Sequence, residues 1–157
     1  MIKIDVFVKD KNWKKYISNP AKYLKDKVKF INSSILFNKK YINFSILLAG
    51  NKEIKMLNNK FRKKNKTTNI LSFPFYKRNE IKKKIKNEDR IYLGDIILNF
   101  YKIKKKARKN EFEKEFNKLW IHGFLHLLGY QHDTNKDFYK MRKLENRIFK
   151  QTEKTKC

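Results

Sequence analysis

Cysteine, acidic residues and long apolar runs are all scarce in this sequence of 157 residues. The single cysteine is Cys157, so no disulfide framework can form, which suits a reducing compartment. No apolar run is long enough to cross a membrane. The N-terminal segment alternates like a strand and lacks the apolar core of a signal peptide. We therefore expect a cytoplasmic protein without a membrane segment.

The shortage of acids leaves a strongly basic chain, with 41 lysines and arginines against 15 aspartates and glutamates and a formal net charge of +26. Such a charge favours a polyanionic partner, and nucleic acid first. Lysine, at 35 residues, and asparagine, at 17, are so frequent that A/T-rich coding bias accounts for part of this charge. The composition thus supports an RNA partner without establishing one.

All three histidines fall within one stretch of eleven residues. His122 and His126 are four residues apart, which places both imidazoles on one face of a helix, as two ligands of one metal require. Gly129 can adopt a positive φ and end that helix, so the chain can turn back and bring His132 to the same metal. Three imidazoles with an open fourth position are typical of catalytic zinc, and we predict one zinc ion per chain.

The ligand spacing is shared with the metzincin proteases, in which a glutamate follows the first histidine and acts as the general base. In this sequence that position is Gly123, and glycine cannot transfer a proton. A zinc metalloprotease-like hydrolase is therefore one alternative reading of the motif, favoured by the spacing and opposed by Gly123.

The apolar pattern predicts one α+β domain over residues 1–157, with a small mixed four-stranded sheet and about five to six helices. Strands are predicted over 2–8, 43–49, 67–75 and 91–98. Because Pro74 lacks an amide donor, the end of the third strand should lie at a sheet edge or leave the sheet. The predicted helices cover about 13–17, 20–32, 54–62, 100–110, 112–128 and 138–148. The highly charged residues 76–90 are predicted as a surface loop, and 151–157 as a frayed tail. The metal site then lies on a helix and the turn that follows it.

An acidic residue interrupts the fourth predicted strand. Asp95 lies inside the apolar run of residues 91–98, and a buried acid there would need a partner. It could cap a loop, hold a histidine or face the site, and a structural role is slightly favoured.

Several motifs together resemble the YbeY family of endoribonucleases, which are bacterial rRNA maturation factors. The resemblance extends from about residue 43 to 150, and the histidine motif with glycine in place of the protease glutamate is its most specific part. The matching stretches are Leu57-Asn58 through Arg62, Lys66-Thr67-Thr68-Asn69-Ile70-Leu71-Ser72-Phe73-Pro74-Phe75, Leu93-Gly94-Asp95-Ile96, and His122-Gly123-x-Leu125-His126-Leu127-Leu128-Gly129-Tyr130-x-His132.

The resemblance implies a zinc-dependent, single-strand-specific endoribonuclease that acts on ribosomal RNA. The family's roles are rRNA processing, notably maturation of the 16S rRNA 3′ end, and ribosome quality control, so the ribosome or small-subunit proteins are expected partners. By the same resemblance, His122, His126 and His132 match the metal ligands and Arg62 matches a functional arginine. Two departures are Gln131, where the family usually has an acid, and the loop over 63–67.

The expected reaction is metal-assisted phosphodiester cleavage, with Arg62 and His122 as the predicted catalytic residues. The planar guanidinium of Arg62 can hold two oxygens of one phosphate. No glutamate lies in the motif, so metal-activated water and the RNA 2′-hydroxyl are both open as the nucleophile. Another alternative is a non-catalytic, RNA-binding ribosome assembly factor whose structural zinc is closed by Asp133 as a fourth ligand.

Overall fold

The strands form one mixed four-stranded sheet in the computed structural model, which describes residues 1–31, 40–103 and 108–154. The strands are β1 (Ile2–Val8), β2 (Tyr41–Ala49), β3 (Ile70–Pro74) and β4 (Arg90–Asn99). Their order across the sheet is β1-β2-β4-β3, with β1, β2 and β4 parallel and β3 antiparallel to β4. Strand β3 therefore lies at an edge, as Pro74 predicted.

Six α-helices and one short 3-10 helix, Lys11–Lys15, surround the sheet in the described parts of the chain. The α+β class, the mixed sheet and the number of helices are confirmed. None of the described helices is long and apolar enough to cross a membrane. The helices are α1 (Pro20–Lys29), α2 (Asn51–Arg62), α3 (Arg78–Asn87), α4 (Phe100–Ile103), α5 (Lys109–Leu127) and α6 (Asn135–Glu153).

The two faces of the sheet carry two separate apolar clusters. Successive side chains of a strand point to opposite faces. Accordingly, Phe44, Ile46 and Leu48 of β2 join the large cluster, whereas Ala49 joins a small one with Ile54 of α2. The large cluster includes α5 and the aromatic side chains of Trp13 and Phe112. The histidine-bearing segment of α5 thus packs on the side of the sheet that carries the larger cluster.

Helix α5 packs closely on strands β3 and β4 at Gly123. A Cβ atom at Gly123 would lie 2.9 Å from Ile70 Cδ1 and 3.1 Å from both Ile96 Cγ2 and Ser72 Oγ. A side chain at this position would therefore force Ile70 Cδ1, the nearest atom, to shift and would crowd Ile96 and Ser72. Glycine lets the histidine-bearing helix lie against the edge strand without this crowding.

The prediction of a surface loop over residues 76–90 is wrong, because Arg78–Asn87 forms helix α3. Two apolar residues four positions apart hold this helix to the domain: Ile81 is buried, and Ile85 packs against the large cluster. At the start of the helix, the carboxylate of Glu80 accepts a hydrogen bond from the backbone N–H of Lys77. The many lysines between these residues conceal the helical period.

Three predicted boundaries also differ from the structure. The first long helix ends at Lys29, and Asn32 lies outside the described residues. The helix predicted over 100–110 is α4, Phe100–Ile103, followed by α5 from Lys109; residues 104–107 are not described. The tail does not fray at residue 151, because α6 continues through Glu153 and the buried Lys27 ammonium donates to the Thr152 carbonyl at 2.8 Å. Residues 155–157 lie outside the described part.

Candidate metal centre

The helix that carries two of the histidines ends just where the sequence predicted. Helix α5 stops at Leu127, and Gly129 has a φ of +90°. The Gly129 N–H donates to the His126 carbonyl at 3.0 Å, and the Tyr130 N–H donates to the Leu125 carbonyl at 3.1 Å. This pair of bonds is a Schellman motif, in which the left-handed residue reverses the chain. The reversal brings residues 130–132 back alongside the last turn of α5.

The three histidines converge on one point. One ligand atom from each of His122, His126 and His132 lies within 4.8 Å of the other two. The ring centroids are 4.5 Å apart for His122 and His126, 5.6 Å for His122 and His132, and 5.2 Å for His126 and His132. His132 is exposed, whereas the other two are half-buried. The arrangement therefore presents three nitrogen ligands at the protein surface, open to a substrate.

Hydrogen bonds to the outer ring nitrogens fix the tautomers of two histidines. The Nδ1 atom of His126 lies 2.9 Å from the carbonyl oxygen of Tyr130, which can only accept. The Nδ1 atom of His122 lies 2.6 Å from the carboxylate of Glu145. Both Nδ1 atoms therefore carry the proton, and both Nε2 atoms present a lone pair. These Nε2 atoms lie only 2.9 Å apart, an approach that a shared cation would stabilise.

The surroundings of His126 favour the neutral imidazole that a metal requires. Burial, followed by the nearby His122, lowers the pKa of the His126 imidazole below its ordinary value. A neutral ring has its Nε2 lone pair free for a cation, so less proton competition opposes metal binding. The three nitrogens, the fixed tautomers and the open side together fit a zinc ion with a free coordination position.

Glu145 contacts the histidine cluster, and the sequence reasoning did not identify it. It lies on α6, and its carboxylate orients the His122 ring from the side opposite to the shared ligand point. The signal was present: Met141, Ile148 and Thr152 are the buried residues of α6, and Glu145 falls on the same stripe at helical spacing. An acid within such a stripe needs a partner, and His122 is that partner.

We expect Glu145→Gln to weaken zinc binding about 10- to 100-fold, because the neutral amide no longer makes the His122 ring a stronger base. Zinc affinity would be measured by competition with a chromophoric chelator, and the His122 tautomer by nitrogen NMR. Glu111→Gln, at an exposed position of α5, makes the same change of charge and should leave both unchanged. Equal zinc affinities for Glu145→Gln and wild type would contradict this role.

Arg62, the other predicted site residue, lies against the edge strand and has a partner there. It is the last residue of α2, and its Nη2 atom donates to the Ser72 carbonyl at 2.9 Å. Its guanidinium carbon lies 5.7 Å from the centroid of the Phe73 ring. The preceding residue, Phe61, is 59% exposed and does not anchor Arg62 to the core. Strand β3 holds Arg62 instead.

Asp95 does not join the histidines. Its exposed side chain accepts a hydrogen bond from the Tyr92 hydroxyl, and it lines a shallow apolar depression with Phe7, Leu57 and Phe73. Leu57 and Phe73 pack against the small cluster on the α2 side of the sheet. Helix α5, which carries His122 and His126, packs on the opposite side, where its Phe124 belongs to the large cluster. Asp95 is exposed and not buried, so the expectation of a buried acid that needs a partner does not apply.

Comparison with known proteins assigns the family. The family model for endoribonuclease YbeY matches residues 6–153. An endoribonuclease YbeY of Pelagibacter ubique is 43% identical over 152 residues, which cover 96% of this chain and 95% of that protein. An endoribonuclease YbeY of Buchnera aphidicola, from the subspecies Acyrthosiphon pisum, is 45% identical over 117 residues, covering 73% of this chain and 71% of that protein.

A solved structure agrees with these matches. The solution structure of TM1509 from Thermotoga maritima superposes with a TM-score of 0.57 at 27% sequence identity, over 96% of this chain and 89% of that one. The similarity of sequence and of fold thus covers nearly the whole chain, including the histidine motif and α6. The chain therefore belongs to the YbeY family of endoribonucleases, as the histidine motif predicted.

Proposed function

We propose that this chain is a zinc-dependent endoribonuclease that cleaves single-stranded RNA, with one zinc ion bound by His122, His126 and His132. The observation that carries the proposal is the convergence of three imidazoles. The Nε2 atoms of His122 and His126 lie 2.9 Å apart, and one ligand atom from each of the three rings lies within 4.8 Å of the other two. Its biological role would be the processing of ribosomal RNA in the cytoplasm, notably maturation of the 16S rRNA 3′ end and ribosome quality control. The ribosome or its small-subunit proteins would be its partners.

Bound zinc would supply Lewis acidity to a phosphoryl oxygen and lower the pKa of water to roughly 7. The chain's own residues supply orientation. Glu145 and the Tyr130 carbonyl accept from the Nδ1 atoms of His122 and His126, which turns the Nε2 atoms of both rings towards the shared ligand point. The exposed His132 leaves one side of the cluster open to an extended strand. This arrangement suits a polymer that slides across the site better than a small molecule enclosed by it.

A basic groove beside the metal turn supports an RNA strand as substrate. It has a volume of about 720 Å³ and is lined by Tyr130 and Gln131 of the turn together with Lys77, Lys82 and Lys140. The Arg78 guanidinium also lines it and bonds to the Gln131 side chain at 3.2 Å and to Asp137 at 3.2 Å. Cations grouped in this way can contact successive phosphates of one strand.

Two observations disfavour the alternatives. At Gly123 the direction of a Cβ atom leads into the interface between α5 and the sheet, so no residue there can act as a protease base. Asp133 is exposed and does not belong to the histidine cluster, so it does not close the site as a fourth ligand. The site therefore suits catalysis on a substrate better than a structural zinc.

The direct test is cleavage by purified protein. We expect zinc-loaded protein to cut single-stranded RNA, to leave double-stranded RNA and casein intact, and to lose its activity to a chelator until zinc is restored. The assay resolves labelled RNA on a denaturing gel, with casein digestion run in parallel. Casein cleavage that a chelator abolishes, without RNA cleavage, would support the protease alternative. Zinc-loaded protein that binds RNA and cuts neither substrate would support the assembly factor.

We predict that Arg62→Lys keeps the fold and the zinc but lowers RNA cleavage by roughly 10²–10³. Lysine retains the charge, but it offers a point contact where the planar guanidinium can hold two phosphate oxygens. The bond to Ser72 uses one donor of Arg62 and aligns the remaining donors. Arg90→Lys is a matched control, because Arg90 is also exposed and packs against an aromatic ring, that of Tyr41. Cleavage rates would be compared at equal zinc content and melting temperature. If Arg62→Lys cleaves RNA at the wild-type rate, the Arg62 guanidinium does not hold two phosphate oxygens in the reaction.

A further inference from the structure

A cleft lies directly beside His122, between α6 and the start of strand β3. It has a volume of about 420 Å³, within the size range of sites that hold small molecules or single nucleotides. Both His122 and its partner Glu145 form part of its wall. A strand that reaches the metal centre from this side must therefore place a nucleotide in the cleft.

The lining of the cleft combines the groups that a nucleotide needs. Two cations, Lys118 of α5 and Arg142 of α6, lie on it together with the amide side chains of Asn69 and Asn146. The Phe149 ring adds an aromatic face, with the Lys118 ammonium 5.7 Å from its centroid. Cations bind phosphate, amides bond to base edges, and an aromatic ring can stack with a base.

Of the two cations in this lining, only Arg142 also lines a recess beside the histidines. It lines the cleft, and it also lines a small recess of about 110 Å³ that contains His122 and His132. It lies three residues before Glu145 on the same helix, which places the two side chains on neighbouring positions of one face. Arg142 is thus the arginine that connects the cleft with the open side of the histidine cluster.

The guanidinium of Arg142 is available for a ligand. Within residues 1–31, 40–103 and 108–154, it has no hydrogen-bond or ion-pair partner, whereas Arg62 bonds to Ser72 and Arg78 bonds to Gln131 and Asp137. The acid nearest to it along the helix, Glu145, is engaged by His122. An exposed, unpaired guanidinium beside a metal site can hold two oxygens of one phosphate.

We propose that Arg142 binds the RNA phosphate next to the metal centre and that the cleft is the subsite for the adjoining nucleotide. The proposal rests on the proposed function, because it assumes that an RNA strand crosses the histidine cluster. It assigns the strand a direction of approach, over the first half of α6 and towards β3. Arg142 acts in binding, and Arg62 on the edge strand remains a separate predicted phosphate contact.

The test measures binding rather than cleavage. Zinc-loaded protein would be titrated with a 2′-O-methyl oligouridine at several salt concentrations, and a gel would check that the oligonucleotide stays intact. We expect Arg142→Gln to lower the affinity about tenfold and to reduce the slope of log affinity against log salt by about 0.7, the value for one lost phosphate contact on a single strand. Arg142→Lys should keep the slope, because it keeps the charge.

Arg147→Gln is the matched control, since Arg147 is exposed on the same helix and lines neither the cleft nor the recess. It makes the same change of net charge, so any effect of overall charge appears in both variants. Equal affinities and slopes for Arg142→Gln and Arg147→Gln would overturn the proposal, even if the wild-type protein cleaves RNA. A specific loss with Arg142→Gln would support the subsite even if no cleavage is found, in which case the proposed function alone would fail.

Discussion

His126→Ala is expected to remove most of the zinc from the protein and to reduce RNA cleavage to background. Burial lowers the pKa of the His126 imidazole, which favours the neutral ring that a metal ligand requires. Without it, the facing pair of Nε2 atoms is lost and two imidazoles remain. Two ligands rarely hold zinc, since protein sites use three or four. The loss of metal should therefore be nearly complete.

Zinc content by atomic absorption, together with single-stranded RNA cleavage, would check this prediction. Asp133→Ala is an informative control, because Asp133 is adjacent to the third ligand and exposed. If the site has three histidine ligands, Asp133→Ala keeps its zinc and its activity. Full zinc occupancy in His126→Ala would show that the metal is held elsewhere, and zinc loss in Asp133→Ala would indicate a closed, structural site.

Gly123→Glu is expected to destabilise the protein by about 3 kcal/mol or more and to create no protease. The first carbon of the new side chain would already lie 2.9 Å from Ile70 and 3.1 Å from Ile96, and the carboxylate would be forced among apolar groups. Gly123→Ala should cost about 1–3 kcal/mol through overpacking, with about 1 kcal/mol recovered from better helix propensity. Restoring the protease-like sequence thus damages the packing that positions the histidines.

Urea unfolding of the three proteins would measure these costs, with casein digestion as the second readout. Asn110→Glu supplies the control, because it adds the same carboxylate at an exposed position of α5. We expect it to unfold at nearly the wild-type urea concentration. A Gly123→Glu protein as stable as wild type would mean that the helix can move off the sheet without penalty, and chelator-sensitive casein cleavage would mean that the substrate class is wrong.

The histidine cluster was predictable because its geometry is local. The spacing of His122 and His126 and the positive φ of Gly129 depend on one helix and one turn, and both follow from the sequence alone. Strand β3 at the edge followed in the same way from a missing amide donor at Pro74. Features of this kind need no knowledge of which elements pack together.

The partners that come from distant parts of the chain were not predictable in this way. Glu145 approaches His122 across 23 residues of sequence, and only the packing of α6 on α5 brings them together. Arg62 and Ser72 likewise meet because α2 ends beside the edge strand. Helix α3 was missed for a different reason, since Ile81 and Ile85 are its only apolar residues and the lysines around them mask their spacing.

The bond between His122 and Glu145 also couples metal affinity to the order in which the chain folds. The carboxylate comes from the last helix, and the end of that helix is attached to α1 through Lys27 and Thr152, which lie 125 residues apart. A ribosome releases α6 after α5, so both histidines of α5 exist in the nascent chain before their orienting acid can dock. A metal affinity that depends on Glu145 would then report that α6 has docked on α5.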